Sequence, residues 1–187
     1  MRELALHILD LVQNSIEAQA GRVDLSIQED CAADRLTIAV LDDGRGMSAD
    51  MVKAVLDPFV TTRNTRQIGL GLPLLEMTAG QSGGYVDIQS EPGQGTKITA
   101  VYQYSHVDRP PLGNIAATVR TLIVLNPQLD FTYRHTVMNR IFTVRTRELA
   151  DALGDVPFTQ PEVIEWLEAY LTAGIANLYG GEEFENC

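Results

Sequence analysis

Read at about 100° per residue, the start of the chain separates into faces: Glu3, His7, Asp10, Asn14 and Glu17 fall in a stripe roughly 80° wide. Leu4, Ile8, Leu11, Val12 and Ser15 flank it on one side, and Leu6, Leu9 and Ile16 on the other. A solvated helix face usually mixes in Lys or Arg, and this stripe carries neither, so the pattern predicts a helix whose polar stripe lines a cleft. The apolar run Leu36–Leu41 predicts a buried strand that ends at Asp42. Ser48 is the natural cap of a following helix, and a further helix is expected from Leu70 to Gln81. Tyr85–Ser90 and Lys97–Val101 read as a hairpin across the turn Glu91-Pro92-Gly93-Gln94, with the second strand beside the one ending at Asp42. Prolines and charges then break the pattern over 105–113. A helix follows from Asn114 to Leu125, and two alternating segments, Leu129–His135 and Arg140–Thr146, predict a hairpin turning near Met138-Asn139. Thr159 and Glu162 form a capping box around Pro161 for a last helix. Its apolar face, Val163, Ile164, Trp166, Leu167, Tyr170 and Leu171, is expected to pack on the chain's own sheet rather than fill a partner's groove.

Chemistry enters at the strand end. A carboxylate delivered there, Asp42, can accept a hydrogen bond from an adenine amine, and Gly44 and Gly46 let the backbone turn and touch a flat base. Asp42 rather than Asp43 is the expected contact. Gly69 and Gly71 open the next helix, whose first amides can receive phosphate oxygens. The segment 60–68, between Phe59 and Gly69, holds hydroxyls together with Arg63 and Arg66 and reads as a lid able to reach the outer phosphates. No Gly-x-Gly-x-x-Gly dinucleotide fingerprint and no Gly-Lys-Ser/Thr phosphate loop is present. The set reads as an ATP site.

These motifs resemble, in order and spacing, those of the GHKL superfamily of ATP-binding domains, named for gyrase B, the heat-shock chaperone, histidine kinases and MutL. Asp10–Ala18 matches the N-box, Asp42–Gly46 and Gly69–Gly71 the two glycine boxes, Asp57–Arg63 the aromatic box before the lid, and Gly95-Thr96 the closing box. The resemblance covers roughly the first hundred residues and implies an α+β fold, the two-layer α/β sandwich known as the Bergerat fold, with a mixed sheet and helices on one face. It implies ATP and Mg²⁺ as ligands, with Asn14 holding the metal through its side-chain oxygen and Asp10 at the position of the general base. Nucleotide contacts are implied for Asn14, Glu17, Asp42, Gly44, Gly46, Met47, Phe59, Thr62, Arg63, Gly69, Leu70, Gly71, Leu72 and Thr96. The gyrase and MutL branches carry Glu where this chain has Asp10, and histidine kinases commonly carry Asn there. A carboxylate therefore points to an oxygen nucleophile, water or a protein hydroxyl. The resemblance implies a stand-alone bacterial ATP-binding protein acting as a regulatory ATPase or as a Ser/Thr protein kinase of the anti-sigma-factor type. The alternative is a non-catalytic, nucleotide-responsive binding module. Three segments are expected: an ATP-binding core at 1–104, a linker at 105–113, and a small helix-hairpin-helix extension at 114–187 that could pack on the core and faintly resembles the segment following the ATP core in MutL-like proteins.

Composition narrows the partners. With 187 residues, 25 acidic against 14 basic and a formal net charge of −11, a nucleic-acid surface is disfavoured and a protein partner is expected. No apolar run is long enough to cross a bilayer, so no membrane is expected. Cys31 and Cys187 are too few for a disulfide framework and read as free thiols of a reducing cytoplasm. His7, His106 and His135 are scattered, and none is nominated as a phosphoacceptor or metal ligand. A self-sufficient histidine kinase is not expected.

Overall fold

A computed structural model describes residues 3–56 and 71–180. Six strands form one mixed sheet in the order β3-β4-β2-β1-β5-β6. They are β1 (Arg22–Asp30), β2 (Arg35–Asp42), β3 (Tyr85–Glu91), β4 (Gly95–Gln103), β5 (Asp130–Val137) and β6 (Arg140–Arg145). All neighbours are antiparallel except β1 and β5, which run parallel, with Leu25 opposite Tyr133. The helices are α1 (Leu4–Glu17), α2 (Ala49–Leu56), α3 (Gly71–Gln81), α4 (Ile115–Leu125), α5 (Thr146–Leu153) and α6 (Pro161–Ala176). The period-two alternation of the central strands buries one face against the helical layer. Val23, Leu25 and Ile27 of β1, Leu36, Ile38 and Val40 of β2, and Phe131 and Tyr133 of β5 share one core with Leu4, Ile8 and Leu11 of α1 and Leu167 and Leu171 of α6. This is the two-layer α+β architecture expected, including the pairing of β4 with β2 and with β3.

Several elements depart from the expectations. β1 and α5 have no counterpart among them, although Val23, Leu25 and Ile27 alternate with polar residues along β1. α6 takes Gln160 rather than Thr159 as its N-cap, without a side-chain cap bond, because Pro161 already occupies the first helical position and supplies no N–H to satisfy. The 105–113 segment is tied down at both ends. Pro111 and Leu112 offer their carbonyls to the N–H groups of Leu4 and Ala5 and so cap α1. Arg109 lies over the Tyr104 ring at 5.0 Å, and Ser105 donates to Asp34 in the β1–β2 turn. The β5–β6 hairpin is continuous with the sheet of the first hundred residues through β1. Cys31 is disulfide-bonded, against the expectation of a free thiol, and its partner lies outside the described residues.

Candidate functional site

Three inward-facing residues stand in one row across the sheet: Asp42 of β2 is opposite Thr96 of β4, and Thr96 is opposite Ser90 of β3. Asp42 is 7% exposed, and both its carboxylate oxygens are held. Ser15 of α1 donates its hydroxyl to Oδ2 at 2.8 Å, and the Gly44 N–H donates to Oδ1 at 2.9 Å. A carboxylate fixed in this way accepts but cannot donate, so its remaining lone pairs select a ligand edge that carries a donor. Asp43 has the opposite fate. Its Oδ1 accepts the Gly21 and Arg22 N–H groups at 2.8 Å each and ties down the entrance to β1.

The cavity beneath Asp42 has a volume of about 70 Å³. Asn14, Glu17, Asp42, Gly46, Met47, Leu72 and Thr96 line it, Gly44 is not among its lining residues, and Leu11, Met51, Val55 and Ile98 give it apolar walls. A flat group between such walls, with the fixed Asp42 carboxylate at its edge, is the ligand geometry this provides for. The glycines are dictated by close approach. A side chain on Gly46, at φ +65°, would put its Cβ 1.9 Å from the Glu91 carbonyl, and one on Gly95, at φ +90°, would lie 2.0 Å from the Asp42 carbonyl. Ser90 organises the same loop, accepting the Met47 N–H at 2.8 Å and lying 2.8 Å from the Thr96 hydroxyl.

Asp10 sits apart from this cavity, against the first turn of α3. A Cβ built on Gly71 would lie 3.2 Å from its carboxyl group. Burial raises the Asp10 pKa above the ordinary carboxylate range, which is the direction that strengthens it as a base. The polar stripe of α1 is therefore divided. Asn14 and Glu17 line the cavity, Asp10 faces α3, Glu3 packs against Gly113, and His7 is sealed at 1% exposure with both ring nitrogens unbonded. Burial pushes the His7 pKa down to about 4. The expected contacts Phe59, Thr62, Arg63, Gly69 and Leu70 lie outside the described residues. Ser15, Ser90 and Asp43 were not anticipated; for Ser15 the available signal was a hydroxyl directly after Asn14 on the otherwise apolar flank of α1.

The Asn14 amide lines the cavity with no side-chain hydrogen bond among the described residues, which leaves its oxygen available to a hard cation. No group of three or more acidic, His or Cys side chains able to hold a metal occurs among the described residues, and a phosphate-bound Mg²⁺ would need only the one amide oxygen.

Residues 2–105 match the family described as histidine kinase-, DNA gyrase B-, and HSP90-like ATPase. The chain is 32% identical over 94 residues to the sensor histidine kinase ZraS of Klebsiella oxytoca, covering 49% of this chain and 20% of that protein. It is 34% identical over 100 residues to the sensor histidine kinase YxdK of Bacillus subtilis, covering 51% and 31%. The chain thus spans less than a third of the length of either relative. In structure it is similar to the Aquifex aeolicus MutL ATPase domain complexed with ADP, with a TM-score of 0.50 at 12% identity over 91% of this chain and 70% of that one. That likeness is one of fold, and it extends beyond residue 105 into the C-terminal segment.

Proposed function

Because the chain belongs to the histidine kinase-, DNA gyrase B-, and HSP90-like ATPase family, we propose that it binds ATP with Mg²⁺ and acts on a protein partner, as a regulatory ATPase or a Ser/Thr kinase of the anti-sigma-factor type. The observation that carries the reading is the Asp42 carboxylate, fixed by Ser15 and Gly44 at the edge of an apolar slot that Asn14 and Thr96 also line. Asp42 accepts from the adenine amine, Leu11, Met51 and Ile98 enclose the ring, and Asn14 holds the metal through its oxygen. The first amides of α3 receive phosphate oxygens. Bound Mg²⁺ supplies charge neutralisation at the phosphates. Asp10, beside that turn and raised in pKa, takes the proton of an attacking hydroxyl or water. The setting is cytoplasmic, where ATP is available, and no helix among the described residues is long and apolar enough to cross a membrane.

A second reading, a nucleotide-responsive binding module without turnover, is favoured by one observation: the base position holds Asp, one methylene shorter than Glu. Two measurements test the site and then choose between the readings. Calorimetry should show Mg-ATP binding in the parent and its loss in a folded Asp42→Asn variant, since an amide donor opposed to the adenine amine costs on the order of 1–3 kcal/mol; unchanged affinity would overturn the site. Radiolabelled ATP incubated with the protein and a lysate of its host should release phosphate or label a protein. Asp10→Asn should lower that turnover by roughly 10²–10⁴-fold while leaving affinity intact. Tight binding with neither product, in the parent and in Asp10→Glu alike, leaves the module reading in place.

A further inference from the structure

Two open depressions lie over the outward-facing rows at the centre of the sheet, and the cations of the described residues are unevenly used. Among the described residues, Arg22, Arg120, Arg145 and Arg147 are in ion pairs, while Lys53, Lys97, Arg134 and Arg35 have no side-chain partner. Three of these four cations line two depressions that meet. One, of about 330 Å³, is floored by Ser26 and Ala39 and flanked by Lys97 and Arg134. The other, of about 640 Å³, runs from Lys97 to Lys53 of α2, with Glu91 at its rim. Leu41 belongs to both and is 46% exposed at their junction. The acid nearest the centre, Asp24, is already taken by Arg22 at 2.8 Å.

The register explains the trough. Thr99, Ala39, Ser26 and Arg134 lie in one row across β4, β2, β1 and β5. Short side chains in the middle of the row leave a channel three strand spacings wide, about 14 Å. In a chain of net charge −11, unpaired cations gathered along one channel mark where an anionic partner meets the least repulsion and the most attraction. The exposed Leu41 between Lys97 and Asp24 adds an apolar contact that a free inorganic anion could not use.

We propose that this trough seats an acidic, extended segment of the partner protein, with its carboxylates on Lys53, Lys97 and Arg134 and one apolar side chain over Leu41. The proposal rests on the reading above that the chain acts on a protein, and it does not depend on whether Asp10 is catalytic.

The full-length chain is titrated by fluorescence anisotropy at low salt with a labelled peptide holding one leucine between two short runs of glutamate. The parent should bind it. The Lys97→Glu, Arg134→Glu double variant should bind on the order of tenfold more weakly, and Leu41→Ser should weaken it several-fold. Arg35→Glu, the same charge change per residue but outside the trough, should leave it unchanged. Mg-ATP affinity, measured separately by calorimetry, should be the same in all of them, so failure of the docking surface is distinguishable from failure of the nucleotide site. If the reversed pair misfolds by circular dichroism, Lys97→Gln with Arg134→Gln replaces it. The proposal is overturned if the parent does not bind, if the substituted pair binds like the parent, or if Arg35→Glu loses as much. It is also overturned if a glutamine version of the peptide binds equally well, or if a short oligothymidylate displaces the acidic peptide at lower concentration.

Discussion

Adjacent Asp42 and Asp43 do different work, because Asp42 ends β2 on its buried face while Asp43, just past the strand, is exposed. Asp42 faces the cavity with its oxygens held by Ser15 and Gly44, while Asp43 secures the start of β1. Ser15→Ala should therefore weaken Mg-ATP affinity by roughly 5- to 10-fold, through loss of one hydrogen bond to a charged group. Asp43→Ala should lower stability with affinity nearly retained once folded. Calorimetry set beside denaturant melts separates the two, and the reverse pattern would mean the roles are exchanged. His7 carries a different prediction. Its folded-state pKa of about 4 lies below the 6.5 of an ordinary imidazole, so between those values the unfolded chain takes up a proton that the folded chain refuses. The stability involved is present above pH 6.5 and lost as pH falls toward 4, by at most about 3 kcal/mol. His7→Leu, which also removes two buried unbonded nitrogens, should be more stable than the parent at neutral pH and flatter in stability between pH 6.5 and 4. Parallel profiles for parent and variant would refute this.

At the scale of elements, what could be read in the sequence was whatever local periodicity and turn chemistry decide. The polar stripe of α1, the apolar run of β2, the β3–β4 hairpin and the Asn114 cap of α4, whose side chain accepts the Ala117 N–H, are local facts. Division of the α1 stripe was not local: Gly113 and the carbonyls of Pro111 and Leu112 return to the start of that helix, where Glu3 packs beside Gly113 yet stays exposed, while His7 is buried. Ser90 was hidden for the same reason, since its partners Met47 and Thr96 come together only through strand pairing. The C-terminal end of α6 shows another long-range device. Glu29 of β1, 4% exposed, lies 2.8 Å from His135 Nε2, and His135 Nδ1 lies 2.9 Å from the Tyr133 hydroxyl. The Tyr179 hydroxyl, just past α6, donates to the same Glu29 oxygen. A buried carboxylate that loses a donor costs about 1–3 kcal/mol. Tyr179→Phe should therefore speed amide exchange in the last turns of α6 before it alters exchange in β1, β2 or β4. Uniform acceleration across the sheet would show that the contact supports the whole fold rather than this helix end.

At the scale of the molecule, the boundary suggested by the prolines near residue 110 does not coincide with a break in packing. β5 joins the sheet by pairing in parallel along nearly the full length of β1, and α4 packs on both α1 and α6. Ile115, Val119, Leu122 and Ile123 of α4, Phe131 and Tyr133 of β5, and Leu167 and Leu171 of α6 lie in one cluster with Leu4, Ile8, Leu25 and Ile38. Burying each such side chain is worth about 1.5–3 kcal/mol, so the eight contributed from beyond residue 113 together match or exceed the about 5–15 kcal/mol that holds a typical domain folded. Removing them would also bare the β1 edge, an unpaired template for aggregation in the middle of what had been a sheet. The full chain should thus unfold in a single calorimetric transition, and a fragment ending at residue 113 should be unfolded or aggregated and unable to bind Mg-ATP, although it contains every described residue that lines the cavity. A soluble 1–113 fragment that melts cooperatively and binds the nucleotide would show that the C-terminal segment is an independent appendage after all.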